Sequence, residues 1–381
     1  MKILLLDDHW PQTIWLVAEM YRQKIDVVYA SPGAVSTRGL GRYCRHHQAP
    51  SMYREGYREF LIDLINREPF DLVLPLCEPL QRIAWGLPEP LASRVYPHTN
   101  TQQRRLLDDR RALYELATRL GVPIPRMTPI SGPDALKEVA RELGWPLVLR
   151  GTQGLAGQQV RIVQDQSQMN EAYATLRSLS PEPPFAQEFI AGTRTAAGAL
   201  LDQGSTLQVF AQQSLETFPS PTGPTIRGLS IKDTRLLDYA KRIFAALKWN
   251  GLALADFMRA KSGEFYLMEI NPRPWASIKV AEACGAPLIR PFVQMLKGEP
   301  LDPPRSYVVG REIVMFPAYL SARIRTDCFP RLRDLGSYLR MGRTVPLRRP
   351  GLLLHTSKNL YWQWCDRKHR GSAVAPSPDR V

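Results

Sequence analysis

The chain has 381 residues, of which 44% are hydrophobic and 23% charged, which suits two or three lobes and excludes a single small binding module. The formal net charge of +14 is uneven: residues 305–381 hold 15 Lys and Arg against 5 Asp and Glu, so this basic end could meet nucleic acid, an anionic membrane or an acidic partner. The five cysteines include no C-x-x-C pair, which predicts reduced thiols. The sequence shows no signal peptide and no apolar run of about 18 residues, so we expect a cytoplasmic protein without a membrane span.

The N-terminal part alternates between strand and helix patterns. Apolar, β-branched runs at 1–7, 25–31 and 70–76 predict strands, and the amphipathic stretches between them, the second near 57–66, predict helices. This alternation predicts an open, parallel α/β layer. The first strand-to-helix turn, at residues 7–11, has no glycine, so a nicotinamide-binding Rossmann site is not expected.

Two features of this first layer bear on function. Cys44, His46 and His47 stand in a basic stretch, either as metal or nucleotide contacts or as part of a solvated loop. Glu78 follows the third strand and either touches a substrate or caps the next helix. We expect the first domain to end near residue 100, where a polar, basic segment begins.

The middle of the chain predicts a helix followed by a hairpin with a glycine-rich turn. Apolar spacing from 113 to 120, closed by Gly121, predicts the helix. Strands are expected at 145–150 and 160–163, with a flexible loop at 151–158 between them. Beyond them, strands are predicted at 185–190, 198–201, 207–216, 252–258 and 264–270, and a helix at 235–247.

The last two predicted strands form a hairpin that carries acidic residues on an apolar background. Asp256 lies inside the first strand, while Glu269 and Asn271 stand two apart on the second and share a face. Two carboxylates and an amide oxygen are hard ligands of the kind that Mg²⁺ uses while it bridges nucleotide phosphates. The alternative is that the acidic residues only solvate the end of the hairpin. The two prolines and Arg273 in the exit, residues 269–274, favour the metal site, because a guanidinium there can reach an anion beside the metal.

The run E-I-N-P-R at residues 269–273 resembles the signature of the ATP-grasp superfamily, particularly its carboxylate–amine ligase and carbamoyl-phosphate-synthase-like branches. The resemblance implies an α/β protein built of α+β lobes, with an ATP-grasp fold behind a Rossmann-like pre-ATP-grasp domain. The implied domains are 1–100 for the N-terminal α/β layer, 101–190 for the central lobe with its glycine loop, 191–304 for the C-terminal lobe with its metal site, and 305–381 for a basic extension.

The resemblance also implies a site for the ATP phosphates. Arg110 and Arg150 stand at the two positions where the family has lysines, which keeps the positive charge and adds a fork of donors. Gly154 and Gly157 match the loop whose backbone N–H groups close over the phosphates, whereas two glycines alone would indicate only a surface hairpin.

For the base of ATP, residues 187–192 resemble the segment that links the two grasp lobes. Glu188 and Ile190 take its adenine-recognising positions, one through the side chain and one through the backbone. The acidic residue that follows in the family, often a ribose contact, is replaced here, because Arg194 and Thr195 stand in its place.

Together these residues imply an ATP-dependent ligase. The resemblance implies that Asp256, Glu269 and Asn271 bind Mg²⁺, or Mn²⁺ in its place. A substrate carboxylate is expected to become an acyl phosphate, which Arg273 stabilises. A nucleophile, usually an amine, then displaces phosphate. Two other classes stay open. A catalytically silent ATP-binding scaffold would explain the Lys-to-Arg changes, and a basic nucleic-acid-binding protein would explain the charge, although no binding module is recognisable.

The C-terminal segment has an amphipathic pattern. Phe329, Leu332, Leu335 and Leu339 recur at helical spacing among arginines, and residues 360–370 combine aromatic with basic residues. This segment either lies on an anionic membrane surface, which would place the enzyme at the inner face of the membrane, or packs as a helix on the ATP-binding core. The tail from about residue 371 is expected to be disordered, and the sequence gives no oligomeric state.

Overall fold

The fold is described from a computed structural model, which describes residues 1–7, 11–32, 40–151, 159–180, 182–218 and 223–315, together with Tyr319 and Ala322. Three sheets occur in this part of the chain. They are taken here in chain order, because each carries a different part of the candidate site.

The first sheet is parallel and has the strand order β3-β2-β1-β4. The four residues from Ile3 to Leu6 are fully buried, as expected of a parallel strand covered on both faces. This confirms the predicted α/β layer. The elements are β1 (Lys2–Leu6), α1 (Pro11–Arg22), β2 (Asp26–Ser31), β3 (Arg45–Gln48), α2 (Tyr57–Arg67), β4 (Leu72–Pro75) and α3 (Glu78–Trp85).

The strand β3 contradicts the solvated loop considered for residues around His46 and His47. Both histidines lie on β3, which pairs in parallel with β2, and His46 Nε2 lies 3.1 Å from Ser31 Oγ. A half-exposed edge strand tolerates polar side chains on both faces, so the apolar pattern that marks a strand is missing there.

The second sheet is small and antiparallel, with the order β5-β8-β6-β7. The predicted hairpin is confirmed: Arg150 at the end of β6 pairs with Val160 at the start of β7. The elements are α4 (Thr101–Asp108), α5 (Arg110–Arg119), β5 (Met127–Pro129), α6 (Leu136–Leu143), β6 (Leu147–Arg150), β7 (Val160–Val163), α7 (Gln166–Leu179) and β8 (Phe185–Glu188).

The third sheet is antiparallel and six-stranded, in the order β13-β12-β9-β10-β11-β14. Its edge strand β14 lies beyond residue 304, so the segment predicted as a basic extension begins inside this sheet. The elements are β9 (Gly192–Asp202), β10 (Ser205–Thr217), β11 (Thr225–Ile231), α8 (Thr234–Leu247), β12 (Gly251–Ala260), β13 (Phe265–Asn271), α9 (Ile278–Ala283), α10 (Ile289–Leu296) and β14 (Glu312–Val314).

The first and third sheets share their hydrophobic cores. Val73 of β4, Tyr114 of α5, Phe244 of α8 and Phe257 of β12 belong to one buried cluster. This packing holds the carboxyl ends of β1 and β4 close to the segment that follows β13. Among the described helices, none is both long enough and apolar enough to cross a bilayer. The domain boundaries at 100, 190 and 304 stay a proposal.

Candidate active site

The hairpin of β12 and β13 brings the three predicted metal ligands together. Asp256 pairs directly with Glu269 across the hairpin, and Asn271 lies two residues further on the same face. Because Phe257 pairs with Leu267, Met268 is an extra residue in β13, a β-bulge of the kind that often lies beside active sites. The register thus places two carboxylates and one amide side by side.

Asp256 is held by two donors. Asn271 Nδ2 donates to its Oδ2 at 2.9 Å, and Arg194 Nε donates to its Oδ1 at 3.2 Å. Arg194 is fixed in turn by the carbonyl oxygen of Gly223, which accepts a bond of 3.0 Å. Asp256 is 4% exposed, and this burial raises its pKa, which the charge of Arg194 opposes.

Glu269 accepts hydrogen bonds from two arginines through the same oxygen. Arg110 Nη2 lies 3.1 Å and Arg150 Nη2 3.0 Å from Oε2. Burial by itself would raise the pKa of Glu269, but the charges of Arg110 and Arg150 lower it to about 2. For Oε1, no hydrogen-bond donor is present in the described residues, so this oxygen is available to a metal ion.

The two arginines come from different elements. Arg110 is the first residue of α5, where Asp109 caps the helix by accepting from the N–H of Arg111. Arg150 ends β6, is only 6% exposed, and donates to Gln187 Oε1 at 3.3 Å. Burial and the neighbouring charge of Arg150 lower the pKa of Arg110. Two guanidinium groups share the one carboxylate of Glu269, which leaves positive charge in excess. Such an excess fits a phosphate-binding site.

Arg273 connects the hairpin to the first sheet. Its Nη2 donates to Asn271 Oδ1 at 3.1 Å, and its Nε donates to Glu78 Oε1 at 3.0 Å. Glu78 is the first residue of α3 but accepts no helix-capping bond in the described contacts, so its role as a helix cap is not supported. It pairs with the predicted catalytic arginine instead.

The remaining predicted residues are less closely connected to this group. Glu188 accepts at Oε2 from the N–H of Arg126 at 3.3 Å and from its Nε at 3.2 Å, while Ile190 is buried. The link to the arginine group is the residue before it, Gln187, which contacts Arg150. Gly154 and Gly157 lie outside the described residues.

Three polar side chains of the site were not predicted from the sequence: Arg194 as a partner of Asp256, Gln187 and Glu78 as partners of arginines. The signal for Arg194 was present, because an arginine stands where the family has an acidic residue. Its partner could not be read from sequence, because the pairing of β9 with β12 decides it: Ala196 opposes Asp256, and Arg194 lies diagonally beside it.

The donor set fits Mg²⁺. Asp256, Glu269 and Asn271 supply oxygens from one face, and carboxylate and carbonyl oxygens are the ligands that Mg²⁺ prefers. No group of three His, Cys, Asp or Glu side chains suited to a metal occurs in the described part of the chain. A set completed by an asparagine and by the phosphates of a nucleotide is consistent with that finding.

Comparison with known proteins identifies the family. The sequence model described as carbamoyl-phosphate synthase L chain, ATP binding domain, matches residues 109–303. The carbamoyl phosphate synthase large chain of Methanothrix thermoacetophila is 25% identical over 283 residues, which cover 69% of this chain and 25% of that relative. That of Archaeoglobus fulgidus is 25% identical over 215 residues, which cover 53% of this chain and 20% of the relative. The chain therefore spans about a quarter of the length of the curated relatives it matches.

Solved structures share the fold. Biotin carboxylase from Campylobacter jejuni superposes with a TM-score of 0.67 at 18% identity, covering 82% of this chain and 74% of its own. N5-carboxyaminoimidazole synthetase from Staphylococcus aureus gives 0.67 at 13% identity, covering 86% and 85%. The L-amino acid ligase from Bacillus licheniformis gives 0.59 at 18% identity, covering 77% and 73%. The predicted ATP-grasp fold is thus confirmed. Because the family model matches just over half of the residues, the chain belongs to the family of carbamoyl-phosphate synthase L chain ATP-binding domains.

Proposed function

We propose that the protein is an ATP-dependent ligase that activates a substrate carboxylate as an acyl phosphate and passes the acyl group to a nucleophile, usually an amine. The observation that carries this proposal is the cross-strand group of Asp256, Glu269 and Asn271, with Arg110 and Arg150 on one oxygen of Glu269. It combines a hard-cation site on the hairpin of the third sheet with a phosphate site formed by arginines from α5 and the second sheet.

The residues of the hairpin would hold Mg²⁺ through Asp256, Glu269 and Asn271. Bound there with ATP, the ion would neutralise charge on the β- and γ-phosphates. One oxygen of Asp256 now accepts from Arg194, and one oxygen of Glu269 accepts from Arg110 and Arg150. These guanidinium groups can turn to phosphate oxygens when ATP binds.

The reaction then has two displacements. An oxygen of the substrate carboxylate attacks the γ-phosphorus, the bond to the β,γ-bridging oxygen breaks, and ADP leaves. Arg110 and Arg150 stabilise the charge on the transferring group, and Arg273 holds the acyl phosphate. The amine nitrogen next attacks the acyl carbon, the bond from that carbon to the phosphate oxygen breaks, and the nitrogen loses one proton to the departing phosphate.

The nucleoside part of the site involves the end of β8 and the glycine loop. Glu188 and Ile190 are proposed to bind the adenine edge, and Gly154 and Gly157 to cover the phosphates. Glu188 shares the end of β8 with Gln187, which contacts Arg150, so adenine and phosphate sites would be neighbours. Arg194 pairs with Asp256, and we therefore propose no ribose contact for it.

Phosphate release tests this proposal. We expect release from ATP that needs both Mg²⁺ and a pool of amino acids, and that chelation with EDTA abolishes. Arg150→Ala should raise the apparent Kd for ATP about tenfold or more, because a charge-assisted hydrogen bond to phosphate is lost, and Arg150→Lys should retain most of the affinity. ATP binding without any turnover would favour the silent scaffold, and equal ATP binding by wild type and Arg150→Ala would make Arg150 structural.

Two further proposals rest on sequence alone. The peripheral contact with an anionic membrane involves residues 329–370, which lie outside the described residues, and so does the predicted disordered tail. The cytoplasmic location likewise stays a prediction. Nucleic-acid binding stays the less favoured explanation for the positive charge, because the charge is concentrated in residues 305–381, where the sequence has no recognisable nucleic-acid-binding module.

A further inference from the structure

The segment that follows β13, Pro272–Ser277, is tied to the first sheet by three side chains. Gln81 Nε2 donates to the carbonyl oxygen of Pro272 at 2.8 Å, and Gln12 Nε2 donates to that of Pro274 at 3.3 Å. Glu78 pairs with Arg273 between these two points. Gln12 follows β1 and Glu78 follows β4, two adjacent parallel strands, so both lie at the carboxyl edge where open α/β sheets bind ligands.

Gln12, Arg273 and Glu78 form a compact cluster. Arg273 Nη1 donates at 3.3 Å to the same Pro274 carbonyl oxygen that accepts from Gln12. Arg273 Nε donates to Glu78 Oε1 at 3.0 Å. Arg273 thus contacts both the carboxylate of Glu78 and the carbonyl oxygen to which Gln12 donates, which brings the Gln12 and Glu78 side chains into one cluster.

Two oxygens of this cluster have no hydrogen-bond donor in the described residues. They are Gln12 Oε1 and Glu78 Oε2, called here the acceptor pair, and both are shielded from solvent. The amide orientation of Gln12 is fixed, because only its nitrogen can donate to a carbonyl oxygen. Buried acceptors without donors are costly, so they indicate a water molecule or a ligand that supplies N–H or O–H groups.

We propose that Gln12 and Glu78 bind the amino group of the amine substrate. An uncharged amino group has two N–H donors for the acceptor pair and a lone pair left for attack. Arg273 is ion-paired with Glu78, so the two charges balance and the cluster offers no net negative charge to hold an ammonium ion. The first turns of α1 and α3 further favour the uncharged, nucleophilic amine. Through Arg273 the site adjoins Asn271, so the amine lies next to the proposed acyl phosphate. This inference rests on the proposed ligase function.

A matched pair of ligands tests the acceptor pair without turnover. In N,N-dimethylglycinamide, methyl groups replace the two N–H donors of the glycinamide amino group. Binding of each to the full chain is measured by ligand-observed NMR, about one pH unit above an α-amino pKa of roughly 8, where the amino groups are mostly uncharged. We expect glycinamide to bind at least about tenfold more tightly. Equal or undetectable binding of the two would mean that only water occupies the pair, and would overturn the proposal.

Three variants distinguish a direct role in amine binding from an effect on the local structure. Gln12→Met removes one acceptor at similar volume and should weaken glycinamide binding about fivefold, and Glu78→Gln about tenfold, because a charge-assisted bond is lost. Gln81→Met is the matched control, because Gln81 is as buried as Gln12, at 1% exposed, and donates to the same segment. Gln81 does not belong to the acceptor pair, so its substitution should leave glycinamide affinity unchanged. Equal weakening by Gln12→Met and Gln81→Met would make the effect structural and would contradict the proposal.

ATP titration keeps this inference apart from the proposed function. Gln12→Met should bind ATP as wild type does, because Gln12 contacts neither arginine of the phosphate site in the described contacts. ATP binding together with an absence of amine binding would overturn the amine site and leave the ligase proposal standing. Absence of ATP binding in the wild type would overturn the ligase proposal itself. If Glu78→Gln fails to fold, Gln12→Met and the ligand pair in the wild type still decide.

Discussion

Glu269 is the only carboxylate that accepts from both Arg110 and Arg150 in the described residues. Without Glu269, the guanidinium groups of Arg110 and Arg150 would repel each other with no counter-charge, and the side chain of Arg150 is only 7% exposed. The side chain of Glu269 is itself about one-third exposed, so water weakens these ion pairs. The ion pairs of Glu269 therefore stabilise the fold and also hold the guanidinium groups of Arg110 and Arg150 where we propose that phosphate binds.

Glu269→Gln should destabilise the protein. We expect a loss of about 1–3 kcal/mol in the free energy of unfolding, because charged donors lose their partner. Urea unfolding measures the loss. The control is Glu138→Gln, whose pair with Arg141 is exposed on both sides and should change the free energy by less than about 0.5 kcal/mol. A Glu269 variant as stable as the wild type would show that the arginines need no counter-charge.

This stabilisation should depend on pH in one direction. The pKa of Glu269 is about 2 in the folded protein against an ordinary 4.5, so its ion pairs stabilise the fold above about pH 5. The stabilisation is lost as the pH falls from about 4.5 through about 2, because protonation removes the negative charge. We expect the stability difference between wild type and Glu269→Gln to shrink over this window. A difference constant from pH 6 to about 2 would contradict the account.

The candidate site shows which residues a sequence can reveal. Asp256, Glu269 and Asn271 could be predicted, because a period of two within a hairpin fixes which side chains share a face. Arg150 could be placed by its position at the end of a strand. The partnership of Glu78 with Arg273 could not, because 195 residues separate them and only the packing of the first sheet on the third brings them together.

At the scale of elements, β9 illustrates how tertiary contacts override local pattern. Residues 198–201 were predicted as a short strand, but β9 runs over 11 residues, Gly192–Asp202. Its centre is a run of Ala and Gly, which have weak strand propensity. Pairing with β10 on one side and β12 on the other supplies the stability that local sequence lacks.

Gly198 makes room for the segment that carries Arg273. A Cβ at this position would lie 2.3 Å from Cζ2 of Trp275, which is 2% exposed. Gly198→Ala should therefore force Trp275 and the adjacent Arg273 to move, at a cost of about 1–3 kcal/mol in unfolding free energy, with reduced phosphate release. Thermal unfolding and the phosphate assay measure the two effects.

The matched control for this prediction is Gly228→Ala in β11. There the nearest atoms to a new Cβ lie 3.6 Å away, an ordinary contact, so the fold should tolerate the substitution. If the two alanine variants have the same stability and the same activity, Trp275 does not depend on the space above Gly198.

At the scale of the whole molecule, the excess positive charge belongs mainly to residues 305–381. The sequence-based membrane hypothesis predicts that the full chain co-sediments with vesicles containing anionic lipid but not with purely zwitterionic vesicles. Added salt should weaken this binding, because the screening length falls from about 10 Å at 0.1 M to about 3 Å at 1 M ionic strength. Equal partitioning to both lipids, or none at low salt, would remove the hypothesis and leave the active site unaffected.

The order of the strands in the third sheet lies beyond sequence patterns. Strands β9, β10, β12 and β13 could be assigned, at least in part, from the sequence, whereas β11 and β14 were not predicted. For β14 the reason is its length, because three residues carry no period. Strand β14 pairs with β11, and the paired residues are about 85 positions apart in the sequence. Local sequence patterns do not reveal a contact at this separation. At the other side of the same sheet, the pairing of β12 with β9 joins the hairpin of the candidate site to the remaining strands.

In the proposed reaction, a substrate carboxylate attacks the γ-phosphate of ATP at the group of Asp256, Glu269 and Asn271. The most direct measurement follows oxygen atoms. Amino acids and bicarbonate labelled with ¹⁸O in the carboxylate are incubated with the protein, ATP and Mg²⁺, and the released phosphate is analysed by mass spectrometry. The account predicts phosphate that carries one ¹⁸O from the carboxylate, because that oxygen forms the acyl phosphate and leaves with phosphorus. Phosphate whose new oxygen comes only from water would contradict it.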